Sequence, residues 1–195
     1  MADTAPSSGI LCERALLALT GSPAVLAMSQ YILVLRQTLV GELRVIMSQA
    51  AARFLPPSSV RLFAGRGVLT DTHEVVDGML VPHVELTDDI DLMLVMPATA
   101  NIIGKAAHGI CDDLVSTAIV ASPAPVVLVP AMNERMWRSA VVERNVNLAR
   151  EVGYHVVDPG VGFQLGDMRD APGMMPPLEH ILDDLLDIVA GARVP

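Results

Sequence analysis

Two short motifs in the middle of the chain carry side chains that suit the binding of an anionic ligand. They are PATAN at residues 97–101 and PAMNERMW at residues 130–137. The first contains Thr99 and Asn101, and the second contains Asn133. Hydroxyl and amide groups donate hydrogen bonds to carboxylate or phosphate oxygens without adding a charge of their own. The two motifs therefore predict a polar site for a ligand that carries such oxygens.

Each motif directly follows an apolar run that is typical of a buried strand. Residues 90–96 precede PATAN and residues 126–129 precede PAMN, while helical patterns follow at about 100–109 and 133–152. Strands that alternate with helices predict βαβ units with right-handed crossovers and a parallel sheet. We therefore expect one α/β domain over residues 1–195, Rossmann-like and doubly wound, with a mostly parallel sheet.

The rest of the chain extends this pattern. Further strands are predicted at 15–19, 43–47 and 154–157, and further helices at about 23–38, 48–54 and 177–190. Residues 58–82 are irregular and leave room for one more helix or short strand, and residues 1–9 are expected to form a loose tail. Glycine and proline crowd into residues 158–177, which predicts either a mobile loop over the substrate or a disordered connector.

Two more strand ends resemble the two motifs in character. Gly21, Ser22 and Pro23 suit a tight turn into a helix, and Ser48 is a hydroxyl cap after the strand at 43–47. Such residues usually only cap a helix, but ligands of open α/β sheets bind at this edge. Four polar strand ends favour a phosphate-bearing cofactor at the helix N-termini. The absence of G-x-G-x-x-G and P-loop motifs disfavours ordinary dinucleotides and nucleoside triphosphates.

Composition excludes several classes of function. The formal net charge of −9 disfavours a nucleic-acid partner, and two cysteines without zinc-type spacing predict neither a disulfide framework nor a metal site. Polar residues interrupt the apolar segment at 22–39, so we expect a buried helix and no membrane span. The first residues lack the pattern of a signal peptide, which predicts a cytoplasmic protein.

His83 stands in the segment PHVEL, just before an acidic turn at residues 88–89. A lone histidine is more often a packing or surface residue, and its spacing alone assigns it no role.

Together these segments resemble motifs of the homo-oligomeric flavin-containing cysteine decarboxylases. That family includes lantibiotic-type peptidyl-cysteine decarboxylases and the phosphopantothenoylcysteine decarboxylase of coenzyme A biosynthesis. PAMNERMW matches the family pattern PxMNxxMW completely, and HVEL matches the segment with the active-site histidine. PATAN is similar to PASANT but has Ile102 where threonine is usual, and GKAAHGICDDLVSTA at 104–118 also fits. The resemblance covers residues 16–159.

The resemblance implies a flavin cofactor, FMN with FAD as the alternative, in a trimer or a dodecamer built from trimers. It implies that His83 is the catalytic acid/base and that Asn133 holds the substrate carboxylate. In the glycine-rich segment, Phe163 and Met168 offer an adaptable apolar surface for substrate. The residues expected to contact the flavin are Gly21, Ser22, Pro23, Ser48, Thr99, Ala100, Asn101, Ile102, Ser116, Ala131 and Met136.

The implied reaction is an oxidative decarboxylation of cysteine. Oxidation of the Cβ–S unit by flavin gives a thioaldehyde, which can delocalise the carbanion that forms as carbon dioxide leaves. The coenzyme A branch has a later ACGD-type segment whose cysteine helps to convert the resulting enethiolate to a saturated thiol. The matching stretch here is GFQLGD at residues 162–167, with Leu165 in place of that cysteine.

We therefore expect this chain to act on the C-terminal cysteine of a ribosomally made precursor peptide. The product would be an aminoenethiol that is used to form an aminovinyl-cysteine ring. Two alternatives remain at this point: a phosphopantothenoylcysteine decarboxylase, and a non-catalytic, flavin-binding regulatory member of the family.

Overall fold

The computed structural model describes residues 11–72, 82–166 and 168–192. Within them, six strands form one parallel sheet in the order β3-β2-β1-β4-β5-β6. The strands are β1 (Cys12–Leu19), β2 (Val40–Met47), β3 (Val68–Leu69), β4 (Leu92–Ala98), β5 (Val126–Pro130) and β6 (His155–Val156). The order reverses between β1 and β4, and ligands of open α/β sheets bind at such a switch point. The predicted Rossmann-like, doubly wound α/β fold is confirmed.

Helices cover both faces of the sheet. They are α1 (Met28–Val34), α2 (Gln49–Phe54), α3 (Pro57–Ala64), α4 (Pro82–Glu85), α5 (Ala100–His108), α6 (Leu114–Ala121), α7 (Glu134–Trp137), α8 (Ala140–Glu151) and α9 (Leu178–Ala192). A 3₁₀ segment at Pro23–Ala27 precedes α1, and a π-helical turn at Leu35–Leu39 follows it. None of the helices in the described ranges is long and apolar enough to cross a membrane.

The sheet separates two hydrophobic cores. Leu17 of β1 belongs to the core that also holds Ile32 of α1 and Leu185 of α9. Its neighbour Leu16 belongs to the opposite core, with Ile103 of α5. Successive strand residues point to opposite faces, so strands buried on both sides are apolar throughout. Full burial of one such leucine side chain stabilises the fold by about 1.5–3 kcal/mol.

Two helices differ from the sequence prediction. The predicted helix at 133–152 is divided into α7 and α8, because Ser139 between them has extended backbone angles. Helix α6 was missed, because its sequence LVSTAIVA is apolar on nearly every side and shows little helical periodicity. Asp113 caps α6 in a reciprocal capping box with Ser116.

The segment at 158–177 contains a β-hairpin. Strands β7 (Gly160–Gln164) and β8 (Arg169–Met174) pair in antiparallel fashion, with Gln164 opposite Arg169. The prediction of irregular structure was wrong for these strands, because glycine and proline obscured a short alternation: Phe163 is exposed, while Gln164 is buried. The predicted movement of this segment over the substrate stays a prediction.

Candidate functional site

A cavity of about 350 Å³ lies where the carboxyl ends of β1, β4 and β5 meet the hairpin. Most of the residues that the sequence predicted for a ligand site are brought together in its lining. They are Gly21, Ser22, Pro23, Thr99, Ala100, Ala131, Asn133 and Met136. The hairpin adds Gln164, Leu165, Gly166 and Met174, which the flavin prediction did not include.

Six other predicted residues lie outside this lining as the structure describes it. Ser48 caps α2, accepting a hydrogen bond from the backbone N–H of Ala51. Ile102 and Ser116 are buried in the helical layer, where the Ser116 hydroxyl is engaged in the capping box of α6. The remaining three, Asn101, Phe163 and Met168, are exposed. Their roles in binding stay predictions.

Thr20 joins the two strands at the switch point. Its hydroxyl donates a hydrogen bond to the carbonyl of Pro97 at 2.6 Å and accepts one from the N–H of Thr99 at 3.1 Å. The side chain is almost fully buried. Thr20 therefore fixes the PATAN turn against the end of β1. The sequence did not predict this role, because the two partners of Thr20 lie 77 and 79 residues away in the chain.

The helix starts around the cavity have hydroxyl caps, as predicted. Ser22 accepts a hydrogen bond from the N–H of Ala24 at 3.4 Å, and Thr99 accepts one from the N–H of Ile102 at 3.3 Å. Helix N-termini carry a partial positive charge that favours phosphate. The small residues Gly21, Ala100 and Ala131 leave room between them. A flat ring with a phosphate-bearing tail, such as a flavin, fits this lining.

Asn133 lies at the start of α7, and both ends of its amide are hydrogen-bonded. Its Oδ1 accepts a hydrogen bond from the N–H of Arg135 at 2.8 Å, and its Nδ2 donates to Oε1 of Gln164 at 3.1 Å. Gln164 in turn donates from Nε2 to the carbonyl of Pro172 at 2.9 Å. These bonds connect the PAMN motif to both strands of the hairpin.

A backbone contact attaches the hairpin to the same motif. The N–H of Met132 donates a hydrogen bond to the carbonyl of Gly173 at 2.8 Å. Gly173 has a φ of 103°, and a Cβ atom there would lie 2.6 Å from the carbonyl oxygen of Met132. Only glycine accommodates both that backbone angle and this close approach. The hairpin is therefore fitted to the PAMN turn at this position.

An ion pair adds a third attachment. The carboxylate of Glu134 on α7 contacts Arg169 of β8 at 2.6 Å and Arg138 at 2.9 Å. The hydrogen bond from Arg169 is the main reason that the pKa of Glu134 lies below its ordinary value. Glu134 therefore stays ionised, and keeps the pair with the hairpin, in mildly acidic solution.

The backbone of His83 lies in α4, but its side chain is outside the described residues. The predicted role of His83 stays a prediction.

Arg44 of β2 connects the end of helix α4 to the sheet. Its guanidinium donates to the carbonyl of Leu86 at 3.3 Å and contacts both carboxylate oxygens of Asp89, at 2.6 and 3.2 Å. The hydrogen bond from Arg44 is the main cause that lowers the pKa of Asp89.

A comparison with protein families identifies the chain. The Flavoprotein family model matches residues 6–190. The chain belongs to the Flavoprotein family. The predicted flavin cofactor is thus confirmed at the level of the family. The lining of the cavity, which fits a flavin, agrees with this result.

Relatives of this flavoprotein fall into two groups. Mersacidin decarboxylase from a Bacillus species is 33% identical over 147 residues, which are 75% of this chain and 74% of the relative. The coenzyme A biosynthesis bifunctional protein CoaBC of Bacillus subtilis is 38% identical over 120 residues, which are 62% of this chain. The matched part of this chain spans only 30% of that relative's length.

A solved structure is similar over nearly the whole fold. The FMN-dependent cysteine decarboxylase SpaF superposes with a TM-score of 0.78 at 32% identity, covering 91% of this chain and 97% of SpaF. The flavoprotein is therefore similar to cysteine decarboxylases in sequence and in fold, and enzymatic activity of this type is supported.

Proposed function

We propose that this flavoprotein uses FMN to catalyse the oxidative decarboxylation of the C-terminal cysteine of a ribosomally made precursor peptide. The product is an aminoenethiol that can be used in an aminovinyl-cysteine ring. The similarity to mersacidin decarboxylase, which covers about three quarters of both chains, supports a peptide substrate. The similarity to FMN-dependent SpaF supports FMN over FAD.

Leu165 is the observation that carries the choice of substrate class. It lines the cavity at the tip of the hairpin, beside Gln164 and Gly166. By resemblance, this position holds a cysteine in the coenzyme A branch, where the thiol helps to saturate the enethiolate. A leucine side chain cannot supply a proton or hydrogen atom, so the reaction stops at the enethiol. Peptide decarboxylases deliver that product.

The lining suggests how the cofactor is held. We assign the phosphate side of FMN to Ser22 and its neighbours at the 3₁₀ start, and the ring side to Thr99, Ala100 and Ala131. The predicted contacts Ser48, Asn101, Ile102 and Ser116 lie outside the lining of one protomer. Bound FMN supplies the two-electron oxidation of the substrate cysteine.

Two side chains of the protein handle the substrate in this proposal. Asn133 donates an amide N–H to the cysteine carboxylate, and because it is neutral it does not oppose the loss of carbon dioxide. His83 accepts the thiol proton, since an imidazole exchanges protons near neutral pH. Met168 and Phe163 are exposed on the hairpin, where the preceding residues of the peptide can reach them.

We also propose that the protein works as a homo-oligomer, a trimer or a dodecamer built from trimers. Met136 lines the cavity and is still 47% exposed, so one side of the site is open in a single protomer. A second protomer on that side would enclose the flavin. Light scattering coupled to size-exclusion chromatography measures the assembly, and a flavin-loaded monomer would contradict this proposal.

A second candidate function is the decarboxylation of phosphopantothenoylcysteine. The 38% identity to CoaBC favours it, since this value exceeds the identity to mersacidin decarboxylase. In that case the enzyme would release the saturated thiol.

The experiment that tests the proposal uses purified, flavin-loaded protein with a panel of peptides that end in cysteine. Mass spectrometry should detect the loss of carbon dioxide and two hydrogens from at least some of them. Peptides that end in serine are the matched controls, because they lack the thiol and should stay unchanged. If all of the cysteine peptides remain intact, the proposal is wrong.

A further inference from the structure

The hydrogen bonds of Asn133 extend into the hairpin through Gln164. Gln164 is only 3% exposed and lines the cavity next to Asn133. Its Oε1 accepts the hydrogen bond from Asn133, and its Nε2 donates to the carbonyl of Pro172. A buried amide with both ends paired has one defined position. The backbone of β8 is thereby linked through one side chain to the group assigned to the substrate carboxylate.

This series of hydrogen bonds ends on both sides at a backbone group that can only donate or only accept. The two end groups therefore fix which atom donates in every hydrogen bond of the series. The carbonyl of Pro172 can only accept, so the amide nitrogen of Gln164 faces it and the oxygen faces Asn133. The N–H of Arg135 can only donate, so the oxygen of Asn133 faces it and the nitrogen faces Gln164. Neither amide can turn over without breaking two hydrogen bonds.

We propose that Gln164 is a positioning residue that orients the Asn133 amide toward the substrate carboxylate. An amide nitrogen carries two N–H groups. One of them is held by Gln164, which leaves the other, in the plane of the Asn133 amide, for the carboxylate. This inference rests on the proposed decarboxylation of a C-terminal cysteine, and it holds for either substrate class.

The residues that form this arrangement differ from the ACGD-type segment of the coenzyme A branch. In the ACGD-type segment, the residue before the cysteine is alanine, which offers no hydrogen bond from its side chain. Here that position is Gln164 and the next one is Leu165. Gln164 is the last residue of β7 and Leu165 directly follows it, and both line the cavity. At these two positions the hairpin therefore carries no thiol, and it carries an amide that hydrogen-bonds to Asn133.

The test compares how tightly Gln164→Leu and wild type bind two unreactive probes. Both probes are derived from the cysteine substrate that wild type turns over. The serine probe has serine in place of the cysteine, and the amide probe is the C-terminal amide of the serine probe, which lacks the carboxylate charge. For flavin-loaded protein, Gln164→Leu should weaken binding of the serine probe about tenfold, the loss of one charge-assisted hydrogen bond. Binding of the amide probe should change little.

Gln49→Leu is the matched control, since Gln49 also donates to a backbone carbonyl, that of Thr70, but is exposed and does not line the cavity. It should bind the serine probe like wild type. In an Asn133→Ala background, Gln164→Leu should have no further effect on the serine probe, because the group through which it acts is gone.

Three results would overturn the inference. Equal losses for both probes would show that Gln164 only shapes the hairpin. Additive losses in the double variant would show that it acts independently of Asn133. Unchanged binding in Gln164→Leu would remove the role altogether. By contrast, wild-type protein that turns over neither cysteine substrate would refute the proposed function itself, a failure that the single variants cannot produce.

Discussion

The cavity has two walls that are built in different ways. The sheet wall, residues 21–24, 99–100 and 131, consists of strand ends whose positions are set by a parallel sheet between two buried cores. The hairpin wall, residues 164–166 and 174, belongs to a separate two-stranded sheet. Contacts of Met132 with Gly173, Asn133 with Gln164 and Glu134 with Arg169 attach it to the PAMN motif and α7.

This difference separates two tasks. A sheet wall fixed by buried strands suits a cofactor that must be held identically in every turnover. A hairpin attached by a few polar contacts can vary in sequence without disturbing the core, because its side chains lie mostly outside both clusters. We therefore expect changes in the sheet wall to alter flavin binding and changes in the hairpin wall to alter substrate and product.

The largest effect is expected from His83→Asn. Loss of a general acid/base lowers the rate by about 10²–10⁴-fold. Flavin content and binding of a serine-terminated peptide should remain as in wild type, because none of the residues that form the two walls is changed. Single-turnover kinetics measures the rate. His180→Asn, an exposed histidine of α9, is the control. Full activity of His83→Asn would contradict the assigned role.

Thr20→Val should disrupt the sheet wall. The carbonyl of Pro97 and the N–H of Thr99 would each lose a buried partner, at a cost of about 1–3 kcal/mol in the free energy of unfolding. Urea denaturation of the flavin-free protein measures this, and fluorescence titration should show weaker flavin binding. Thr20→Ser keeps the hydroxyl and should lie close to wild type. Undisturbed flavin binding in Thr20→Val would argue against the division of tasks.

Leu165→Cys should change the product while leaving the flavin in place. It introduces a thiol into the hairpin wall at the cavity. We expect a minority of the product to appear as the saturated thiol, heavier than the enethiol by two hydrogens in the mass spectrum. The new thiol would supply the proton, and the flavin that was reduced in the oxidation of the substrate would return the hydride. Leu165→Ser is the control, because serine is similar in size to cysteine but has no thiol. This variant should give the enethiol alone. If Leu165→Cys instead reduces flavin content, the hairpin wall contributes to cofactor binding and the division is wrong.

The smallest effect is expected from the ion pair between Glu134 and Arg169. The pKa of Glu134 is lowered in the folded protein, so the pair stabilises the hairpin above the ordinary glutamate pKa of about 4.3. That contribution is lost as the pH falls below this value and through the lowered pKa. Glu134→Gln should therefore raise hydrogen exchange in β7 and β8 by a few-fold at pH 7. Wild type and variant should converge once the pH lies below the lowered pKa of Glu134. A difference that persists unchanged in that acidic range would exclude the ion pair as its cause.

The division also explains what the sequence predicted well. The sheet wall follows from local signals: apolar runs such as the one that ends at Met96, and hydroxyl caps such as Ser22 and Thr99. The hairpin wall depends on contacts between distant residues, and the pairing of Asn133 with Gln164 spans 31 positions. No pattern in the neighbouring sequence predicts such a hydrogen bond. Thr20 was missed for the same reason, since its partners lie 77 and 79 residues away.

The most direct test of the central claim is a competition between the two substrate classes. Flavin-loaded wild-type protein is given equal concentrations of phosphopantothenoylcysteine and a peptide ending in cysteine that was selected from a varied panel. Mass spectrometry follows both products over time. We expect the peptide to be converted to its enethiol while phosphopantothenoylcysteine stays largely intact. Preferential conversion of phosphopantothenoylcysteine to the saturated thiol would contradict it.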